Sequence, residues 1–282
     1  MRLLLTGANG FTGIHLANAA RIAGYEVFPL QADLTDANAL LAEVIRIAPT
    51  HVIHLAGISA VTHTDEREFY AVNLFGTLNL LNALSDSKIK IQKIILASSA
   101  NVYGNAKSTP ISEDFCPAPV NHYAMSKLAM EYMARQHLAN LPIIFTRPFN
   151  YTGVGHDVRF VIPKIIEHFK ANASVIELGN ITVQREYNDV RNVSEIYLAL
   201  LKHGQVGELF NICSGRTVSL NQVLQSLHQL TGCEMEVKVN PSFIRKNEIE
   251  TLAGSPGKLE NCIGKIDWIP LEDTLSWMLR GD

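Results

Sequence analysis

Cysteine is scarce. Four of 282 residues are cysteine, scattered at positions 116, 213, 233 and 262. None pair at the short spacing of a metal ligand set, and so thin a scatter builds no disulfide framework. No bound metal is expected, and the reading is of a chain kept in a reducing cytoplasm. Long hydrophobic runs are missing too. Nothing approaches the ~20 apolar residues that a membrane span requires. The opening Met1-Arg2-Leu3-Leu4-Leu5-Thr6-Gly7 is too short an apolar run for a signal peptide and reads as a buried first strand. Positive charge is not in excess: 24 Lys and Arg against 27 Asp and Glu leave a net charge of −3. That excludes the broad basic field which favours nucleic acid or anionic membrane, so neither is expected as a partner. No internal repeat or low-complexity tract is present.

What the chain does have is 47% hydrophobic and 18% charged residues, the balance of a globular protein with one large or two unequal domains. The apolar run at 3–6 suits a parallel strand buried on both faces. It leads into Gly7-Ala8-Asn9-Gly10-Phe11-Thr12-Gly13, with glycines three apart, and then an amphipathic helix ending at Gly24. Glycine lets backbone turn sharply and lie close to a pyrophosphate, and a helix N-terminus offers free N–H groups to phosphate. A glycine triplet at the junction of a first strand and first helix is the context that marks dinucleotide binding. Gly7, Asn9, Gly10, Phe11, Thr12 and Gly13 are therefore expected to hold NAD or NADP.

Further strands are expected at 26–30, 93–99 and 143–147, and in His51-Val52-Ile53-His54-Leu55-Ala56-Gly57. Helices alternate with them: one capped by Asp36 and running to 48, with Leu40, Leu41, Val44 and Ile45 inward, and one over 66–85. The latter carries a core stripe of Phe69, Val72, Leu74, Phe75, Leu78, Leu81 and Leu84, interrupted by Asn73 and Gly76. Strand–helix alternation predicts an α/β fold, a doubly wound parallel sheet of Rossmann type. His54, inside an apolar strand, reads as a hydrogen-bonded core histidine. A Pro-rich surface loop spans 104–121. Beyond 150 the rhythm loosens. Helices are expected at 160–170, 193–201, 218–230 and 271–279, and strands at 175–178, 184–190, 208–213 and 234–239. We read 1–150, with a returning segment near 187–213, as the dinucleotide domain, and 151–186 with 214–282 as a smaller mixed α/β substrate domain.

The chemistry centres on Ser99, at the C-terminal tip of a strand, and on Tyr123 and Lys127, four apart and so on one face of a helix. A phenol titrates near ~10, and a neighbouring cation favours its ionised form. With a serine hydroxyl on the same substrate oxygen, the three groups form a proton relay for interconverting alcohol and ketone beside a hydride carrier.

With glycine loop, serine, tyrosine and lysine in place, the chain resembles the extended short-chain dehydrogenase/reductase family over nearly its whole length. The likeness rests on Thr6 to Gly13, His54-Leu55-Ala56-Gly57, Asn73 within Val72-Asn73-Leu74-Phe75-Gly76-Thr77, Ser98-Ser99, and Tyr123 with Lys127. It implies that Tyr123 is the acid/base, that Ser99 polarises the substrate oxygen, and that Lys127 holds the nicotinamide ribose and lowers the Tyr123 pKa. Gly7, Gly10 and Gly13 would meet the phosphates, and Asp33 and Leu34 the adenine. Leu55, Ala56, Gly57 and Asn73 would join the cofactor site, and Ser98 the substrate site. Arg147-Pro148-Phe149-Asn150-Tyr151-Thr152-Gly153 is similar to the family's sugar-nucleotide turn, with Asn150 on the diphosphate side. Gln184-Arg185-Glu186-Tyr187-Asn188-Asp189-Val190 resembles an Arg-Asp-x-x-x-Val strand, with Arg185 facing the nucleotide. The stretch from Asn240 to Ile249 resembles the Arg-Pro-x-Glu-Val segment of GDP-mannose 4,6-dehydratases, where Arg245 and Glu248 would contact diphosphate and ribose. Lys246 stands at the proline position.

Ala100 and Asn101 follow Ser99 where dehydratases of the family carry an acid, and the cysteine of GDP-fucose-forming relatives is absent at Asn101. The resemblance therefore implies reduction, by NADPH or NADH, of the C4 ketone of a nucleotide-linked 4-keto-6-deoxy sugar: GDP-4-keto-6-deoxy-D-mannose to GDP-D-rhamnose, in a homodimer. The alternatives are a nucleotide-sugar 4-epimerase that retains its NAD and, in another class, a non-catalytic NAD(P)-binding redox sensor.

Overall fold

The computed structural model describes residues 1–59, 65–106, 109–244 and 250–281. In chain order, β1 (Arg2–Thr6), α1 (Phe11–Ile22), β2 (Glu26–Pro29), α2 (Ala37–Ile47) and β3 (His51–His54) come first. One continuous helical stretch then has three parts: α3 (Glu66–Glu68), a π-helical segment Phe69–Gly76, and α4 (Thr77–Asp86). After β4 (Lys93–Ala97), a 3-10 turn Ala100–Tyr103, α5 (His122–Ala134) and β5 (Ile143–Pro148) follow. The second half runs β6 (Tyr151–Thr152), α6 (Val161–Lys170), β7 (Val175–Leu178), β8 (Gln184–Arg185), β9 (Asn188–Asp189), α7 (Val190–His203) and β10 (Leu209–Ile212). It ends with β11 (Val218–Ser219), α8 (Leu220–Thr231), β12 (Glu236–Val239), β13 (Thr251–Leu252), α9 (Gly257–Ile263) and α10 (Leu271–Arg280).

Six strands form one sheet in the order β10-β5-β4-β3-β1-β2, with every pair parallel. The chain moves outward from β1 to β2, then crosses to β3 on the other side. The C-terminal ends of β1 and β3 therefore flank the point where strand order reverses, the crevice in which such sheets bind ligands. Two cores cover the sheet. One side buries Leu3, Leu5, Ile53 and Ile95 against Leu16, Ala20, Val193 and Tyr197 of α1 and α7. The other buries Leu4, Val52, Ile94 and Phe145 under Leu40, Leu81 and Met130 of α2, α4 and α5. Central strands covered on both faces need unbroken apolar runs, which is why β3 and β4 read Val-Ile and Ile-Ile-Leu. This is the doubly wound sheet expected from the strand–helix rhythm.

A third core joins Ile165 and Phe169 of α6, Val223 and Leu227 of α8 and Leu275 of α10. A small fourth core, Val102, Tyr103, Ile111, Phe149, Cys213 and Leu252, lies where the two halves meet. β10 pairs with β5 at the sheet edge. Leu259 and Trp268, from the stretch assigned to the smaller domain, pack into the first core.

Several local expectations are corrected. Phe75 is 58% exposed rather than part of the core stripe. The π-helical widening shifts the register, so Asn73 and Gly76 turn inward where a 3.6-residue period places leucine or phenylalanine. On α2, Ile45 faces out while Glu43 is buried. Glu43 Oε2 accepts the Gln31 and Ala32 amides at 3.0 and 2.7 Å, so the carboxylate closes the loop after β2. The single strand expected at 184–190 is two short strands. Val190 already belongs to α7, whose first turn is capped by the Asp189 carboxylate.

Candidate active site

Gly7 leaves β1 with φ +69°, and a Cβ there would lie 2.9 Å from Ala56 N. A Cβ on Gly13 would lie 2.0 Å from Gly7 O, so helix and strand approach as closely as only glycine permits. Gly10 caps α1 without a side-chain acceptor, and the first turn of α1 carries no acidic residue. Its N–H groups and positive dipole end are left for an external anion. Phe11 stacks on His156, with ring centroids 4.4 Å apart. Thr12 Oγ1 and Tyr151 OH share a 2.8 Å hydrogen bond. The start of α1 is thus joined to the 151–156 segment.

On the far side of the reversal point, a chain of hydrogen bonds fixes the end of β3. Ala56 N donates to Thr6 Oγ1 (3.0 Å), and Thr6 Oγ1 lies 2.7 Å from His54 Nδ1. His54 Nε2 lies 2.8 Å from Thr77 Oγ1, which donates to Asn73 O at 2.7 Å. Because Thr77 spends its proton on a carbonyl, His54 must donate from Nε2 and accept at Nδ1. Burial, aided by the Lys127 cation, lowers its pKa to about 3. His54 is a neutral strut inside the sheet.

Asn73 connects the next pieces. Its Oδ1 accepts from Ile58 N at 2.8 Å, and its Nδ2 donates to Ile58 O (3.2 Å) and Ser126 Oγ (3.1 Å). A Cβ on Gly57 would lie 2.8 Å from Asn73 Oδ1 and 3.2 Å from Lys127 Nζ, so Gly57, Asn73 and Lys127 share one small space. Lys127 Nζ donates to Ala97 O at 2.9 Å. Burial lowers its pKa to about 8, against the pull of the Glu131 carboxylate. Glu131, one turn along α5, forms a buried bidentate pair with Arg147, at 2.9 and 2.6 Å.

Ser99 caps the 3-10 turn after β4. Its Oγ accepts from Asn101 N and Asn101 Nδ2, both at 3.2 Å. Two donors on that oxygen leave its own proton free to point elsewhere, and Ser99 lies close enough to the Tyr123 phenol to favour its ionised form. Tyr123 is buried beneath Phe69. Burial pushes its pKa up to about 12, only partly offset by Ser99 and reinforced by Tyr151. Desolvation of the phenolate dominates, while the Lys127 ammonium uses one of its three donors on the Ala97 carbonyl. Ser98 Oγ, 4% exposed, has no hydrogen-bond partner among the described residues.

Ser99, Tyr123, Lys127, Asn73 and Gly57 therefore converge at the C-terminal edge of the sheet. Asp33 is exposed and holds its own turn, its Oδ1 accepting from Thr35 N (2.8 Å) and Oγ1 (2.7 Å); these bonds lower its pKa. Leu34 fills the gap opened by Gly76. Asn150 O accepts from Asn188 N at 3.0 Å, and Arg185 lies in β8 between β11 and β13. Arg245 and Glu248 fall outside the described residues. Asn101 and Tyr151 went unassigned in the sequence. Asn101 stands two residues beyond Ser99, the spacing of a side chain that reaches back over a tight turn.

The glycine cradle, the uncapped first turn of α1 and the bare Gly57 fit a dinucleotide, and Gly7, Gly10, Gly13, Gly57, Asn73 and Lys127 would be the residues to hold it. Fold and site together define an NAD(P)-dependent oxidoreductase of the extended short-chain dehydrogenase/reductase type. The chain belongs to the NAD dependent epimerase/dehydratase family, whose model matches residues 3–213. It is 33% identical to GDP-6-deoxy-D-talose 4-dehydrogenase of Aggregatibacter actinomycetemcomitans, over 94% of this chain and 92% of that protein. It is likewise 33% identical to GDP-6-deoxy-D-mannose reductase of Pseudomonas aeruginosa, over 99% and 95%. Among solved structures, the NADPH complex of RMD from Pseudomonas aeruginosa superposes with a TM-score of 0.92 at 32% identity, covering 99% of this chain and 98% of that one. A Burkholderia cenocepacia protein superposes at 0.95 with 40% identity, covering 99% and 97%.

Proposed function

We propose that the protein reduces the C4 ketone of a GDP-linked 4-keto-6-deoxy hexose, giving GDP-D-rhamnose (GDP-6-deoxy-D-mannose). The observation that carries the reading is the Ser99–Tyr123–Lys127 convergence with Ala100 and Asn101, neither of them acidic, beside it. Elimination of water from a sugar needs a base next to the ring proton, and those two positions supply none. Both curated relatives above are named for GDP-6-deoxy-hexose oxidoreduction.

A bound reduced nicotinamide supplies the hydride. Tyr123, protonated at neutral pH with its pKa near 12, donates its phenolic proton to the carbonyl oxygen, which becomes the hydroxyl. Ser99 donates a hydrogen bond to the same oxygen, and that bond strengthens as negative charge develops there. Asn101 holds Ser99 in the donating orientation. Lys127 places a cation beneath the phenol and orients the ribose. Asn150, Arg185, Arg245 and Glu248 bind the nucleotide, where a planar guanidinium suits a diphosphate. The enzyme works in the cytoplasm as a homodimer. The exposed apolar side chains of Phe75, Met125, Tyr132 and Met133, on the packed π-helical segment and α5, support that assembly.

The test is NADPH and NADH oxidation against GDP-, dTDP-, UDP- and CDP-linked 4-keto-6-deoxy sugars, with proton NMR of the product. Turnover of the GDP sugar to the manno product is expected. The talo epimer is the second reading, favoured by the 6-deoxytalose relative, and the ring coupling constants decide between them. Tightly retained NAD with no net oxidation of added NADPH would replace reduction by 4-epimerisation. Dinucleotide binding with no turnover of any sugar would replace it by a redox sensor.

A further inference from the structure

One buried carboxylate has no part in the chemistry above. Glu186, in the link between β8 and β9, is 1% exposed. Its Oε2 accepts hydrogen bonds from Asn188 Nδ2 (2.9 Å), Ser214 N (2.7 Å) and Ser214 Oγ (3.2 Å). Its Oε1 accepts from Gly254 N at 2.7 Å. Four donors thus converge from three stretches: β9, the loop after β10 and the turn after β13. A carboxylate only accepts, and charge-assisted bonds are the strong ones, so it suits a meeting point of donors.

Two of the tied stretches border candidate substrate contacts. β13 pairs with β8, Thr251 opposite Gln184 and Leu252 opposite Arg185. Arg185 Nη1 donates to Gln184 O (2.8 Å) and Glu250 O (3.4 Å), so the guanidinium is oriented by the strand that Gly254 closes. β9, which carries Asn188, pairs with β6, and Asn188 N donates to Asn150 O. Behind the carboxylate there is no slack. A Cβ on Gly254 would come within 2.6 Å of Cys213 Sγ and 2.7 Å of a Phe149 ring carbon.

We propose that Glu186 is a positioning residue for the nucleotide sugar. It fixes the segments of Arg185 and Asn150 relative to one another and so sets affinity for the nucleoside diphosphate, while the ketone chemistry at Tyr123 is untouched. The proposal rests on the nucleotide-sugar reading for its ligand. Glu186→Gln keeps shape and size, but its amide nitrogen opposes a donor: it must face either Gly254 N or Ser214. The first orientation loses the Gly254 tie, and the second loses the ties from Asn188 Nδ2 and Ser214 N.

The test measures binding of GDP, UDP and dTDP by calorimetry, binding of NADPH by fluorescence, and kcat and KM for the keto sugar. Glu186→Gln should weaken the nucleoside diphosphate and raise the sugar KM about tenfold, with kcat within about twofold and NADPH binding unchanged. Glu186→Asp, which restores charge on a shorter arm, should recover part of that loss. Ser214→Ala, which removes only the weakest donor, should cost about two- to threefold. Wild-type diphosphate affinity in Glu186→Gln would overturn the proposal, as would parallel losses in kcat and NADPH binding, which mark general loosening. Should Glu186→Gln not fold, unchanged diphosphate affinity in both Glu186→Asp and Ser214→Ala would overturn it. A wild type that binds a diphosphate but reduces no keto sugar sinks the reaction alone, and the diphosphate affinities still decide Glu186. A wild type that binds none of the three sinks both.

Discussion

Replacing Glu131 by glutamine should destabilise the fold by about 3–5 kcal/mol, the loss seen when one partner of a buried ion pair is removed and the other is left charged. The structure places this site at the severe end of side-chain changes. Both side chains are under 5% exposed, at 2% for Glu131 and 4% for Arg147. Arg147 gives Nε and Nη2 to the carboxylate, and its Nη1 already has no partner among the described residues. The Tyr103 ring, 4.7 Å from the guanidinium carbon, offsets only part of the stranded charge, by about 2 kcal/mol at most. At roughly 2–4 °C per kcal/mol for a domain of this size class, the melting midpoint should fall by about 10 °C. A double replacement, Glu131→Gln with Arg147→Met, removes the stranded charge and should melt above the single variant. Thermal unfolding followed by circular dichroism checks both. A single variant within about 2 °C of wild type, or a double variant that melts below the single, would refute the reasoning. The same substitution should also shift the activity profile. Glu131 lies one turn from Lys127 and raises its pKa, so the neutral glutamine moves the lysine titration to lower pH.

Tyr123→Phe should retain nucleotide and dinucleotide binding while turnover falls by about 10²–10⁴; stopped-flow NADPH oxidation measures it, and wild-type turnover would remove the phenol from the mechanism. Lys127 is a cation below its pKa of about 8 and a neutral amine above it, whereas Tyr123 stays protonated up to about 12. Reduction should therefore fall as pH rises through about 8, and a rate flat to pH 10 would contradict the assignment. Gly57→Ala places a methyl 2.8 Å from Asn73 Oδ1 and 3.2 Å from Lys127 Nζ. It should raise the dinucleotide Kd at least tenfold with little change in nucleoside diphosphate affinity. Phe75→Glu combined with Tyr132→Glu should give a monomer by sedimentation if those exposed side chains carry the dimer.

The fold was legible where short-range pattern and backbone chemistry coincide. Apolar runs with glycines at their ends located β1 and β3, and the spacing of Tyr123 and Lys127 put both on one helix face. What escaped depends on partners distant in sequence. Glu43 meets the Gln31 and Ala32 amides only through the fold. Arg147 with Glu131 and Glu186 with Gly254 are joined only by the fold. Phe75 was misread because the 3.6-residue period fails across Phe69–Gly76. The burial that raises the Tyr123 pKa is set by the packed fold and has no signature in the local sequence.

The widened turn at Phe69–Gly76 holds a surplus residue relative to an ordinary helical repeat. Deleting one amino acid there would let the whole stretch wind evenly and gain regular backbone bonding. It would also swing the Asn73 amide away from Ile58 and Ser126. Even winding would thus strand a buried amide beside Gly57 and Lys127.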